Sequence, residues 1–331
     1  MNRRVRSVCG EEAIGETQPT LVKMDSFLNT TSKPTKTAVL LLAHGSPDCV
    51  EDVPEFLRQV TGGRPLPPQV VEEVERRYGM IGRSPLTCWT MEQRDLLARE
   101  LNVPVYVGMR NWKPFIADTV RTMISDGVNR TIVICLAPQN SQTSVGLYRT
   151  ALTANGIPFQ YDFVESWHDQ PLLIKAFSEK LNIGWKQACQ ENGAKVPIIF
   201  TAHSVPQRTI AEGDPYETQT KETAALVAQE AGLETGDWSF AFQSQGMSGG
   251  SWLGPTVEET ILGLKAKNYR GIFIQPIGFL CDHVEVLYDI DIAFKQFAEK
   301  ETMRLWRAES LNSSPLLTAA LADLARARLQ R

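Results

Sequence analysis

Two short apolar runs along the chain, Val39-Leu40-Leu41-Leu42-Ala43 and Pro197-Ile198-Ile199-Phe200-Thr201-Ala202, share one pattern. Each is followed at once by a histidine, His44 or His203, and soon afterwards by a proline, Pro47 or Pro206. Short runs of strand-forming residues closed by turn residues read as strands, so each histidine is expected at the C-terminal edge of a strand. The first strand is expected over 38–42. A helix follows with Val53, Phe56, Leu57 and Val60, ended by Gly62-Gly63-Arg64-Pro65. Pro67-Pro68 opens another, in which Val70, Val71, Val74 and Tyr78 share one face among charged neighbours. Helix and strand then alternate: helix 90–101, strand 103–107, a helix from Pro114 to the Gly127 stop, strand 131–136, helix 145–154, strand 159–164, and a long helix over 170–192 broken around Gly184.

After the second Ala-His strand the order recurs in shorter form, with helix 217–232, strand 239–243, helix 256–267 and strand 271–275. The segment from Asn129 to Pro138 echoes that from Tyr269 to Pro276. The pattern therefore predicts an α/β fold of two similar Rossmann-like domains, each a doubly wound parallel sheet, over residues 36–165 and 166–331, facing each other across a cleft. A C-terminal helix is expected to pack back on the first. Residues 1–35 lack periodicity and read as a disordered lead-in, with Met24 as an alternative start. In such sheets ligands bind beyond the carboxyl ends of the strands, where both histidines fall.

Composition narrows the function. The 331 residues are 43% hydrophobic and 22% charged, enough for a sizeable core. Lys and Arg number 34 against 38 Asp and Glu, a formal charge of -4, which argues against a nucleic-acid surface and for a small-molecule partner. Six scattered cysteines without a C-x-x-C pair argue against a zinc site, an iron–sulfur cluster or a disulfide framework and fit a reducing compartment. With no membrane-length apolar run and no signal-peptide pattern, the expected location is the cytoplasm.

No Gly-x-Gly-x-x-Gly follows the first strand and no phosphate loop is present, so a dinucleotide or nucleoside triphosphate is not expected. Ser46 and Ser204 lack a nucleophile-elbow context and read as helix caps. The stretch from Pro276 to Asp291 is more telling. Asp282 and Glu285 have capping-box spacing, while Glu285 and Asp289 share one helix face beside the ligand edge. A histidine facing such carboxylates can move protons or bind a divalent metal.

Thr201-Ala202-His203-Ser204-Val205-Pro206, Phe242-Gln243-Ser244, Trp252-Leu253-Gly254-Pro255, Pro276-Ile277-Gly278-Phe279 and Asp282-His283-Val284-Glu285-Val286-Leu287-Tyr288-Asp289 together resemble the signature of ferrochelatases. The resemblance runs from about Ala38 to the C-terminus and includes Val107-Gly108-Met109-Arg110 with Pro114-Phe115. Leu136-Ala137-Pro138 with Ser144-Val145 and Tyr148 resembles the monomeric branch that metallates coproporphyrin III. It implies insertion of Fe²⁺ into a porphyrin, coproporphyrin III ahead of protoporphyrin IX, in haem biosynthesis, with His203 and Glu285 as the catalytic and metal-contacting pair. Asp289 would extend the carboxylate path as a further metal contact, and His44 would be either an axial metal ligand or a residue bonded to its own turn. Ser141, Tyr148, Trp252, Leu253, Phe279 and His44 are the substrate-binding set it implies, with Asn140 and Arg149 as further propionate contacts. Iron enters as substrate, with no tightly bound organic cofactor and no iron–sulfur cluster expected, and the chain is expected to act as a monomer without stable membrane insertion. His168 and His283 read as surface or capping residues.

Three positions depart from the branch. His44 replaces a tyrosine, the loop from Ile81 to Leu86 is one residue short, and Gln139-Asn140-Ser141 replaces a segment that commonly holds an aromatic or a histidine. Two rival functions follow. Leu42-Ala43-His44-Gly45-Ser46 also resembles the opening of cobalt and sirohydrochlorin chelatases, which lack the pattern from Asp282 to Asp289, and a porphyrin or haem carrier would bind without metallating.

Overall fold

The structure, a computed structural model, describes residues 36–154, 156–245 and 250–330. The expected lead-in over 1–35 lies outside the described residues. In chain order, β1 (Thr37–Ala43) is followed by α1 (Val53–Val60), α2 (Pro68–Ile81), α3 (Leu86–Leu101), β2 (Val105–Met109), α4 (Ile116–Ser125), β3 (Arg130–Cys135), α5 (Leu147–Thr153), β4 (Gln160–Val164) and α6 (Pro171–Asn192). Then come β5 (Ile198–His203), α7 (Gln207–Ala211), α8 (Tyr216–Glu230), β6 (Trp238–Gln243), α9 (Val257–Ala266), β7 (Gly271–Pro276), α10 (Val284–Leu287), α11 (Lys295–Lys300), β8 (Arg304–Arg307) and α12 (Pro315–Leu329).

The strands form two parallel four-stranded sheets, ordered β2-β1-β3-β4 and β6-β5-β7-β8. Substituting β5 to β8 for β1 to β4 turns one order into the other, so the repeat in the sequence is a repeat of topology. In both halves a π-helical turn follows the third strand, Gln142–Gly146 after β3 and Asp289–Phe294 after β7.

Alternate residues of β1 divide between two cores. Val39, Leu41 and Ala43 join a cluster that also takes Ile198, Phe200 and Ala202 of β5, Phe177 of α6 and Leu321 of α12. Ala38, Leu40 and Leu42 pack instead against Ile116, Tyr148 and Leu152 of α4 and α5. That division is what parallel strands buried on both faces require, and it explains why their sequences run apolar without alternation. The outer face of the second sheet is closed by Ile261, Val286, Ile290 and Phe294.

Two local expectations are corrected. Helix α6 is continuous through Gly184. A Cβ there would lie 2.9 Å from the Phe273 ring, so the glycine makes room for a sheet residue without ending the helix. Strand β8, absent from the expected elements, is a short edge strand whose Arg304-Leu305-Trp306-Arg307 sequence has too little apolar length to signal itself.

Candidate active site

His203 is the last residue of β5 and sits beside the end of β6, paired in register with Gln243. Its Nδ1 lies 2.5 Å from the Ser204 carbonyl. A carbonyl can only accept, so Nδ1 carries a proton and Nε2 is the nitrogen left facing outward. Glu285 Oε1 stands 3.5 Å from that Nε2. Both side chains are about one-third exposed, which places the pair in an open cleft.

The position of Glu285 is set from two sides. Buried Gln243 donates from Nε2 to the Glu285 carbonyl at 2.8 Å, accepts from Thr201 Oγ1 at 2.7 Å, and takes the Ser204 N–H on its own carbonyl at 2.7 Å. One amide thereby ties β5, β6 and α10 together. The expected capping box does not form, because the Asp282 carboxylate is claimed by Ser310 Oγ at 2.7 Å, Asn312 Nδ2 at 2.9 Å and Arg307 at 3.5 Å. His283 occupies the N-cap without a side-chain cap bond. Its Nδ1 donates to the Cys281 carbonyl at 2.9 Å, and its Nε2 faces Glu285 Oε2 at 3.6 Å. His283 is thus a mostly buried member of the cluster and not a surface residue, and Phe279 packs edge-on to it at 4.6 Å.

Electrostatics separates the carboxylates. Burial pushes the Glu285 carboxyl up, but the charges of His203 and His283 and the bond from His283 outweigh it and bring it to about 2. For Asp289 burial wins, helped by the charge of Glu285 and opposed by the hydroxyl of Ser244 and by Arg77, and the carboxyl is raised to about 6. Burial works against a charged His283, yet the neighbouring Glu285 raises it above the usual imidazole value. The charge of Glu285 also reaches His44, Tyr78, Tyr148 and Tyr216, so residues of both sheets converge on it.

His44 follows β1 on the opposite side. Solvent reaches its ring, but protein walls surround it and lower its pKa, against the pull of the Gly45 carbonyl. Nδ1 donates to that carbonyl at 2.9 Å and Nε2 accepts from Asn111 Nδ2 at 3.0 Å. Both ring nitrogens are engaged, so a metal could take Nε2 only by displacing Asn111. The expected helix caps find other partners: Ser46 Oγ bonds Ser84 Oγ at 2.8 Å and Tyr78 OH at 3.0 Å, and Ser204 Oγ donates to the Leu253 carbonyl at 3.0 Å.

The remaining expected residues divide. Tyr148 is buried under the first sheet's edge, and Leu253 packs with Val205, Tyr216 and Phe242. Trp252 bridges to Pro206 beside His203. Ser141 is buried with its hydroxyl on Asp214 at 3.0 Å, the Asn140 N–H bonds Gln219, and Arg149 pairs with Glu165 and stacks on Phe163. His168 bonds Glu222 at 2.9 Å with its side chain mostly buried. Gln243, His283 and Asn111 are the site residues without an expected role. Gln243 stands in the Phe242-Gln243-Ser244 motif, and a glutamine closing an apolar strand is a second signal, since a buried amide must find partners.

His203 Nε2 and Glu285 are the groups able to meet a cation. Among the described residues no group of three or more His, Cys, Asp and Glu forms a metal-sized cluster, so a cation there keeps most of its coordination sphere for another ligand.

The family profile of ferrochelatase matches residues 36–329. The ferrochelatase of Acidobacterium capsulatum is 53% identical over 312 residues, covering 89% of this chain and 95% of that protein. The coproporphyrin III ferrochelatase of a Geobacillus species is 35% identical over 308 residues, covering 89% and 98%. Among solved structures, SirB from Bacillus subtilis with Fe³⁺ superposes with a TM-score of 0.53 at 12% identity, covering 88% of this chain and 95% of that one, a likeness of fold. With the family profile spanning nearly every described residue and the relatives matched almost end to end, this chain belongs to the ferrochelatase family, the lyases that insert iron into porphyrin in haem biosynthesis.

Proposed function

We propose that this chain metallates coproporphyrin III with Fe²⁺ and that His203 and Glu285 carry the proton chemistry. The observation behind the assignment is the Nε2 of His203, held toward Glu285 at 3.5 Å by the bond that fixes its other nitrogen. Insertion requires both pyrrole N–H protons to leave as the macrocycle nitrogens bind the cation. Nε2 can take them in turn, handing the first outward before the second leaves, and the adjacent carboxylate stabilises the imidazolium formed each time. Glu285, brought to about 2 by the charged imidazoles beside it, is anionic once His203 has taken a proton, so its part is to hold positive charge and not to store a proton. Asp289, at about 6, is the carboxyl able to exchange a proton near neutral pH and extends the path outward.

Coproporphyrin III is favoured by the kinship with enzymes named for it and by the segment from Leu136 to Tyr148. In this reading the protein acts as a cytoplasmic monomer with iron as substrate and with neither a resident organic cofactor nor an iron–sulfur cluster. The test is anaerobic Fe²⁺ insertion into coproporphyrin III and protoporphyrin IX in parallel, followed by porphyrin absorption. His203→Ala should lower the rate by about 10²- to 10⁴-fold while porphyrin binding is retained. Faster turnover of protoporphyrin IX would overturn the substrate, and an unchanged rate in the variant would overturn the role of His203.

A further inference from the structure

Nearly every arginine that is half withdrawn from solvent has its charge answered by the protein. Arg77 meets Glu73, Arg94 meets Asp95, Arg149 meets Glu165, Arg307 meets Asp291 and Arg328 meets Asp162, while Arg130 donates to the Arg328 carbonyl. Arg110 is the exception. Its guanidinium makes no hydrogen bond or ion pair with any described residue, although its backbone is fixed by an N–H bond to the Ala43 carbonyl at 3.0 Å.

Its place in the fold gives that exception meaning. Arg110 stands one residue past the last register pair of β1 and β2, Ala43 with Met109, at the carboxyl edge of the sheet. Val105, Val107 and Met109 point into the core shared by the two sheets, whereas Gly108 abuts Leu42 and Ile116 on the other face. By alternation Arg110 belongs to that second face, with His44 and Tyr148. Both feel its charge, and with no carboxylate near it burial lowers its own pKa. Asn111, next in sequence, holds the His44 ring. The free cation is therefore built into the wall of the same cleft that Glu285 faces.

We propose that Arg110 is a carboxylate-binding residue of the cleft, gripping one propionate at the porphyrin rim on the His44 side. The inference rests on the reading of the cleft as a porphyrin site. Leaving a partly desolvated guanidinium unpaired is unfavourable, and the planar fork of arginine matches a carboxylate in two parallel bonds. A ligand carrying carboxylates on its rim supplies the missing partner. Arg149 and Ser141 are already committed to Glu165 and Asp214, whereas Arg110 is an unpaired cation on this edge.

The test is fluorescence titration of the full chain with metal-free coproporphyrin III and, separately, with its tetramethyl ester in the same detergent. Arg110→Gln should weaken binding of the free acid by about 10- to 100-fold, and Arg110→Lys, which keeps the charge but loses the fork, by less. Neither variant should change binding of the ester. Unchanged affinity for the free acid, or equal weakening of acid and ester, would overturn the proposal, the latter pointing to a structural role. A wild-type protein that binds neither ligand would sink the porphyrin reading itself, and the inference with it.

Discussion

Three imidazoles stand around one carboxylate, and their hydrogen bonds give them different chemistry. His203 has one nitrogen fixed by a carbonyl and the other turned to Glu285, His44 has both nitrogens engaged, and His283 is drawn toward its charged form by Glu285. Beside them Asp289 is a carboxyl kept where its charge is disfavoured. Its pKa is raised from 3.8 to about 6, so the folded protein holds that proton more tightly than the unfolded chain. The stability it contributes is fully present below the unfolded value and is lost as pH rises through about 6. At neutral pH the ionised carboxylate is consequently a cost, of at most about 3 kcal/mol by linkage. Asp289→Asn should raise the thermal midpoint at pH 7.5 by several degrees and leave it unchanged below about pH 4. A melting series in which the gain is the same at both ends would refute that account.

At the scale of elements, the loop between β7 and α10 carries the precision. A Cβ on Gly278 would approach Ala202 Cβ at 3.1 Å and Ala202 Cα at 3.2 Å, and Ala202 precedes His203. The obstruction is partly backbone, so relief requires β5 to shift by a few tenths of an ångström just where it aims the imidazole. Gly278→Ala should accordingly cost only about 1–2 kcal/mol in stability while lowering the insertion rate by roughly tenfold or more, since catalytic geometry tolerates less displacement than packing does. Denaturant titration alongside initial rates checks this, and a rate loss no larger than the loss of folded protein would count against it. The strands that present His44 and His203 were legible because runs such as Val39 to Ala43 have no other plausible fate. What escaped was tertiary: Asp282 looked like a helix cap until Ser310, Asn312 and Arg307 claimed it, and nothing local marks Arg110 as the arginine left unpaired. Local sequence fixes where a side chain starts, while its partners come from segments far along the chain.

For the whole molecule, the repeated strand order places the carboxyl edges of two sheets around one cleft, and a shared core holds them. That core depends on α12. Leu317, Ala320, Leu321, Ala322 and Ala325 are buried there against α3 and α6. The helix is also tied by Arg326 to Glu100 at 2.6 Å, and the loop before it by Gln93 to the Asn312 carbonyl at 2.8 Å. The last segment of the chain is thus structural for the first sheet as well as the second. Burying a leucine is worth roughly 1.5–3 kcal/mol, and two leucines with three alanines approach the net stability of about 5–15 kcal/mol that a folded domain has. A chain ending at Ser314 should lose its cooperative thermal transition and expose apolar surface that binds a hydrophobic dye. The milder Leu317→Ala, costing about 2–5 kcal/mol, should keep the transition at a lower midpoint. If the truncated chain melted cooperatively within a few degrees of the full one, the two sheets would have to be held together by α6 and the strands alone, and the shared core would lose its claim to set the width of the cleft.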